Sequence, residues 1–198
     1  MEMSRSNAKR VPLAGVALAI AVTASMDAMG LAMFSSLPLL PLAIEQIDLA
    51  AYPLVISSSH LVAKGVLTSP EQLHVSYVHT PVRYAWDQMH AYLRRSALAR
   101  RGFGPLIRWQ LHALRQWDQL SAARVDHLLA NSRFTARRIQ RFWGREAQVL
   151  HPPVQVERFR WDQPRDAAYL CVCRLVPYKR VDVVVEATGH PPAGIAHA

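Results

Sequence analysis

Short apolar runs of strand length, each closed by a polar or proline break, alternate in this chain with longer stretches of helical period. Tyr52–Ser57 (YPLVIS) runs into serines, and Leu73–Val78 (LHVSYV) alternates before stopping at His79-Thr80-Pro81. Val125–Ala130 (VDHLLA), Ala147–Leu150 before Pro152-Pro153, and Tyr169–Arg174 (YLCVCR) continue the series. Between them, His60–Leu67 starts a helix or turn. Tyr84–Ala123 reads as helical, broken at Gly102, Gly104 and Pro105, with Leu106, Trp109, Ala113, Trp117 and Leu120 near helical spacing. Asn131-Ser132 starts an amphipathic helix over Phe134–Trp143 that Gly144 ends, and Val181–Thr188 begins another. Strands that alternate with helices predict a parallel sheet with helices on its faces.

With 198 residues, the chain can bury a core without a disulfide or metal staple. Its two cysteines exclude a disulfide framework, and Cys171 and Cys173, alternating on one predicted strand, read as buried small hydrophobes. His60, His74 and His79 lack metal-ligand spacing, so no metal is expected. Charge is uneven: residues 1–60 hold three basic and four acidic groups, and the remainder twenty and ten. Region 83–145 alone holds thirteen basic and three acidic residues. Such a field favours anionic partners, whether nucleic acid, lipid headgroups or phosphorylated small molecules.

Residues 11–44 carry one charge, Asp27. Residues 11–26, after Lys9 and Arg10, fit the apolar core of a signal peptide. As a membrane helix they are short of the roughly 20 residues a span needs. A buried strand or helix at the start of a domain is the third reading.

Four segments in order carry a resemblance: HTPVRYAWD from His79, WDQLSAARVDHLLANSRFTARRI from Trp117, LHPPVQVERF from Leu150 and CRLVPYKRVD from Cys173. The stretch from Pro41 to Val66 fits as well. Together they resemble the family 4 retaining glycosyltransferases, specifically a bacterial mannosyltransferase-like group of polysaccharide and lipopolysaccharide assembly. The resemblance implies an α/β fold with a Rossmann-like parallel sheet of the GT-B type and, in this chain, an incomplete second domain. On that map, 1–37 is a divergent apolar segment and 38–150 the acceptor-side domain. An interdomain connector spans 151–168, the start of the donor-binding domain 169–188, and a disordered tail 189–198.

The resemblance also implies transfer of a sugar, with mannose the expected one, from a nucleotide-sugar to a glycan or lipid-linked acceptor with retention. GDP-mannose is the expected donor, used as a substrate with no cofactor and no metal. Arg174 and Lys179 match the cations that hold the donor diphosphate, with Arg180 beside them; a helix N-terminus after a strand is a natural anion site. His79, directly after a strand, is the candidate catalytic residue, facing the transferred sugar by hydrogen bonding. Arg83, Tyr84, Trp86 and Asp87 would shape the acceptor pocket. Asn131 and Ser132 are expected to cap a helix. Arg94, Arg95, Arg100, Arg101 and Arg108 near Trp109 would meet anionic headgroups, for a cytoplasmic protein peripheral at the inner membrane face. No nucleic-acid motif accompanies the basic residues, so nucleic acid is not an expected partner.

The chain departs from the family at both ends. No glycine-rich first strand-turn is present, and the family's downstream pair of glutamates is missing, Glu186 lying too early. The expectation is a truncated product, inactive or nearly so, that exposes Val183, Val184 and Val185. A non-catalytic basic module that binds anionic membrane or nucleic acid is the alternative.

Overall fold

The computed structural model describes residues 16–20, 39–96, 98–160, 162, 170–173 and 179–188. The elements are β1 (Val16–Ile20), α1 (Leu39–Glu45), β2 (Leu54–Ser59), β3 (Leu73–Val78), α2 (Met89–Arg95), α3 (Gly104–Ala123), β4 (His127–Ala130), α4 (Arg133–Trp143), β5 (Gln148–Val149) and α5 (Val181–Thr188). A 3-10 turn at Ala63–Gly65 links β2 to β3, and a π turn at Ala99–Phe103 leads into α3. The chain divides into two units, residues 1–152 and 153–198.

In the first unit all strand pairs are parallel and their order follows the chain, β1-β2-β3-β4-β5. Register runs from Leu54↔Leu73 to Ser59↔Val78, then Val75↔His127 to Val78↔Ala130. This is a mixed α/β, Rossmann-like sheet flanked by helices. Part of the apolar N-terminal stretch, Val16–Ile20, is a strand here, paired with β2. Among the described residues no helix is long and apolar enough to cross a membrane.

Burial alternates as a pleated strand requires. Val55, Ser57 and Ser59, then His74, Ser76 and Val78, then Leu128 and Ala130 are buried on one face. Leu54, Ile56, Val75, Tyr77 and Leu129 on the other face are only half-buried. Val78, Leu128 and Ala130 of the buried face cluster with Ala122 of α3 and with Ile139 and Trp143 of α4, which accounts for the asymmetry.

α4 forms where Ser132 accepts a hydrogen bond from the Thr135 backbone N–H at 3.2 Å, and it ends at Gly144, whose φ of 67° is left-handed. α3 begins at Gly104-Pro105 rather than breaking there. Proline in the first turn removes only an N–H that has no helical partner. The buried stripe of α3 is Ile107, Leu111, Leu114, Asp118 and Ala122. The spacing that the sequence suggests, Leu106, Trp109, Ala113 and Leu120, faces outward instead, with Trp117 half-buried.

The reason for that rotation is a buried charge cluster. Lys64 Nζ lies 2.7 Å from Asp118 Oδ1 and donates to Ser121 Oγ at 2.8 Å, both ends of the ion pair nearly free of solvent. Asp118 Oδ2 accepts from the indole N–H of Trp86 and of Trp143, each at 2.8 Å. The ammonium also lies 5.0 and 4.8 Å from the Trp117 and Trp143 ring centroids. Burial lowers the Lys64 pKa, and the Asp118 carboxylate opposes that shift. Gly65 permits the close approach: a Cβ there would meet Trp117 Cζ2 at 2.2 Å.

In the second unit no described residue is buried. Leu170 and Val172 are 89% and 84% exposed. Cys171 and Cys173 are free and exposed, not buried as expected, and residues 170–173 form no strand. α5 does form, with Val183 and Val184 exposed as the sequence suggests and Val185 half-buried. The expected tail, 189–198, lies outside the described residues.

Candidate functional site

The C-terminal rim of the sheet gathers the side chains of interest. One residue past the last paired positions (Ser59↔Val78, Val78↔Ala130 and Ala130↔Val149) stand His60, His79, Asn131 and Leu150, side by side. Ladder bonds run on into this row, with the His79 and Leu150 N–H groups donating to Ser59 and Ala130 carbonyls at 2.9 Å.

His79 is exposed, and its Nε2 lies 2.9 Å from Ser58 Oγ. The Tyr77 ring meets it edge-on at 5.3 Å between centroids. Its backbone carbonyl accepts from Asn131 Nδ2 at 3.1 Å and from Thr135 Oγ1 at 3.2 Å. Asn131 therefore ties the rim together, while Ser132 does the capping. The His60 pKa is lowered, first by desolvation and then by the charges of His79 and Arg83. That favours the neutral imidazole at pH 7, a ring with one donor and one acceptor. Sequence reasoning passed over Ser58 and His60. The cue was the serine run that ends β2 at the same rim as His79, and the register is needed to see it.

Of the four residues expected to shape an acceptor pocket, Arg83 is exposed and the other three hold the loop in place. Tyr84 is in the core with Leu93, Ile107 and Leu111, and burial raises its hydroxyl pKa. Trp86 donates to Asp118 and stacks on Phe142 at 4.8 Å. Asp87 is clasped by both terminal nitrogens of the Arg138 guanidinium, which holds its carboxyl below the usual carboxylate range. Arg138 also donates to the Pro81 carbonyl at 3.4 Å. The loop from His79 to Asp87 is thus anchored at both ends, and its presentation of His79 and Arg83 is preorganised.

The expected donor-phosphate residues lie in the second unit. Arg174 lies outside the described residues. Lys179 and Arg180 are exposed directly before α5. Arg180 has a left-handed φ of 49°, and its Nε is 3.1 Å from both carboxylate oxygens of Asp182, so an incoming anion must compete with that carboxylate.

A groove of about 630 Å³ lies at the opposite end of the sheet, lined by Val75, Asp126, His127, Leu129, Glu146 and Gln148 among others, and none of the rim residues lines it. Among the described residues no cluster of histidine, cysteine or carboxylate side chains suits a metal ion. The rim is therefore a set of hydrogen-bonding groups, Ser58, His60, His79 and Asn131, beside one guanidinium. It suits a hydroxyl-rich ligand that carries or acquires negative charge. Comparison with protein-family models, with curated proteins and with solved structures gives no match for this chain.

Proposed function

We propose that the chain is the acceptor-side part of a retaining glycosyltransferase, with the strand rim as the place where sugar is received. The single observation that carries this reading is the row His60, His79 and Asn131, with Ser58 bonded to His79, at the ligand-binding edge of a parallel sheet. The ordered motifs from His79, Trp117, Leu150 and Cys173 support it. In this reading His79 hydrogen-bonds the transferred sugar and Arg83 faces the acceptor, a glycan or lipid-linked saccharide. The donor is a nucleotide-sugar, GDP-mannose first among them, held at Arg174, Lys179 and Arg180 without metal. Because no described residue around Lys179 and Arg180 is buried, the chain alone holds the donor weakly and turns over slowly or not at all.

Saturation-transfer NMR on the full chain tests this. Mannosides should receive saturation from the wild type and lose it in His79→Ala, while GDP-mannose shows no tight binding in calorimetry. If mannosides give no signal, or the same signal with His79→Ala, the rim reading fails; tight GDP-mannose binding contradicts the weak donor site. The second reading, a non-catalytic basic module, is favoured by the net charge of 83–145. It predicts salt-sensitive binding to anionic surfaces with no sugar preference.

A further inference from the structure

Cys171 and Cys173 belong neither to the core nor to the rim. They flank Val172 in the second unit, where residues 170–173 form no strand and the backbone bends at Cys173. Both thiols are free and exposed. Their sulfurs lie 3.9 Å apart, close enough for one S–H to donate to the other sulfur. Leu170 and Val172 beside them are also open to solvent, so a small reagent has access to both sulfurs.

Of three uses for such a pair, two are poorly served here. Structural zinc takes four ligands, and among the described residues no third histidine, cysteine or carboxylate joins these two sulfurs. A bridge to a second copy is disfavoured by concentration. A thiol tethered two positions away acts at an effective concentration on the order of millimolar or above, far beyond that of dilute protein. What remains is a bond between the two sulfurs themselves. A disulfide most often joins Cα atoms about 5.5–6 Å apart, whereas two residues of extended strand cover about 6.6 Å. A bend shortens that span, so the bend at Cys173 suits the bond and the bond would hold the bend.

We propose that Cys171 and Cys173 are a reversible dithiol–disulfide couple that exchanges with low-molecular-weight disulfides of the oxidised glutathione class. One cysteine thiolate attacks a sulfur of the small disulfide, whose S–S bond breaks and expels a thiolate. The second cysteine, having lost its proton to solvent, attacks the sulfur of the first and expels the other thiolate. Two electrons pass from the protein thiols to the small disulfide, which leaves as two thiols once they take up the two protons. The bond closes a small ring through Val172 in the open, which makes it a labile bridge rather than a structural one. The inference stands on this pair alone, and it holds whether or not the rim receives sugar.

The test is incubation of the full chain in oxidised glutathione, then acid quenching, N-ethylmaleimide labelling and intact-mass spectrometry. Wild type should pass from two labelled thiols to none, as a monomer lighter by two hydrogens, and dithiothreitol should restore both. That result needs no variant, so a misfolded variant leaves the test standing. Cys171→Ser and Cys173→Ser should each stop at one glutathione adduct. Wild type should carry at least about tenfold less adduct than either, because the neighbouring thiol resolves it. Both side chains are exposed, so circular dichroism of the variants should match wild type. The proposal is overturned if wild type accumulates glutathione on both cysteines or forms disulfide-linked dimers instead. It is equally overturned if wild type keeps two free thiols under conditions that fully modify Cys173→Ser. Protection of both thiols by one equivalent of zinc, with no disulfide formed in oxidised glutathione, would assign the pair to a metal instead.

Discussion

The two units of this chain each contain an acid–base pair, and the contrast between those pairs separates a folded body from a segment whose described residues hold only local structure. In residues 1–152, Lys64 and Asp118 meet in a site closed to water, with Ser121, Trp86, Trp117 and Trp143 around them. In residues 153–198, Arg180 and Asp182 meet in the open, two residues apart, at the start of α5. The first pair joins elements 54 residues apart in sequence and fixes the rotation of α3. The second caps one helix end. A buried pair is costly to desolvate and strongly destabilising to break, whereas an exposed pair is screened. Burial, not the presence of charges, determines which of the two organises structure.

Breaking each pair is therefore the sharpest comparison. Asp118→Ala leaves the Lys64 ammonium buried without its counter-ion and two indole N–H groups without acceptors; urea unfolding should show a loss of about 3–5 kcal/mol. Asp182→Ala should leave the urea midpoint of the first unit unchanged, and a matching loss there would erase the contrast. Next in size is Gly65→Ala, which must push Trp117 from its place over Lys64; overpacking of this kind costs about 1–3 kcal/mol, read as a lower Tm. Ser132→Ala removes the cap of α4 and should cost about 1 kcal/mol, with no loss if water substitutes fully.

Acid should act through the first unit as well. Burial drives the pKa of His74 down from 6.5 to about 4, with Arg124 and Lys64 adding to the fall and Asp126 opposing it. The unfolded chain then binds the proton first, so stability is complete above pH 6.5 and drains away as pH falls towards 4. Thermal melts over that window should show Tm falling, and His74→Gln should flatten the slope. An unchanged slope in the variant would assign the acid sensitivity to other groups.

Much of the fold was legible because it depends on local pattern. Leu73–Val78 is a strand at the residues its alternation marks, and Ser132 and Gly144 bound α4 as cap chemistry requires. β2 and β4 lie within two or three residues of their apolar runs. What local pattern missed depends on distant partners. The outward stripe of α3 looked like the core stripe because hydrophobicity alone cannot show that Asp118 is buried; its partner, Lys64, is on another element. YLCVCR has strand composition, but among the described residues no strand pairs with 170–173, and that part stays open. At the rim, His79 stood out by following a strand directly. Ser58 and His60 needed the β2–β3 register to place them beside it, and Tyr84, Trp86 and Asp87 needed the fold to show that they anchor the loop.

Native-state hydrogen exchange on the full chain, read by mass spectrometry, tests the central contrast most directly. Amides of β2, β3, β4, α3 and α4 should exchange together, only through global unfolding, and Asp118→Ala should accelerate all of them in step. Residues 179–188 should exchange within seconds in both proteins. Protection of α5 equal to that of α3, lost together with it in Asp118→Ala, would mean that the second unit shares the core of the first and would contradict the division into a folded body and a locally structured segment.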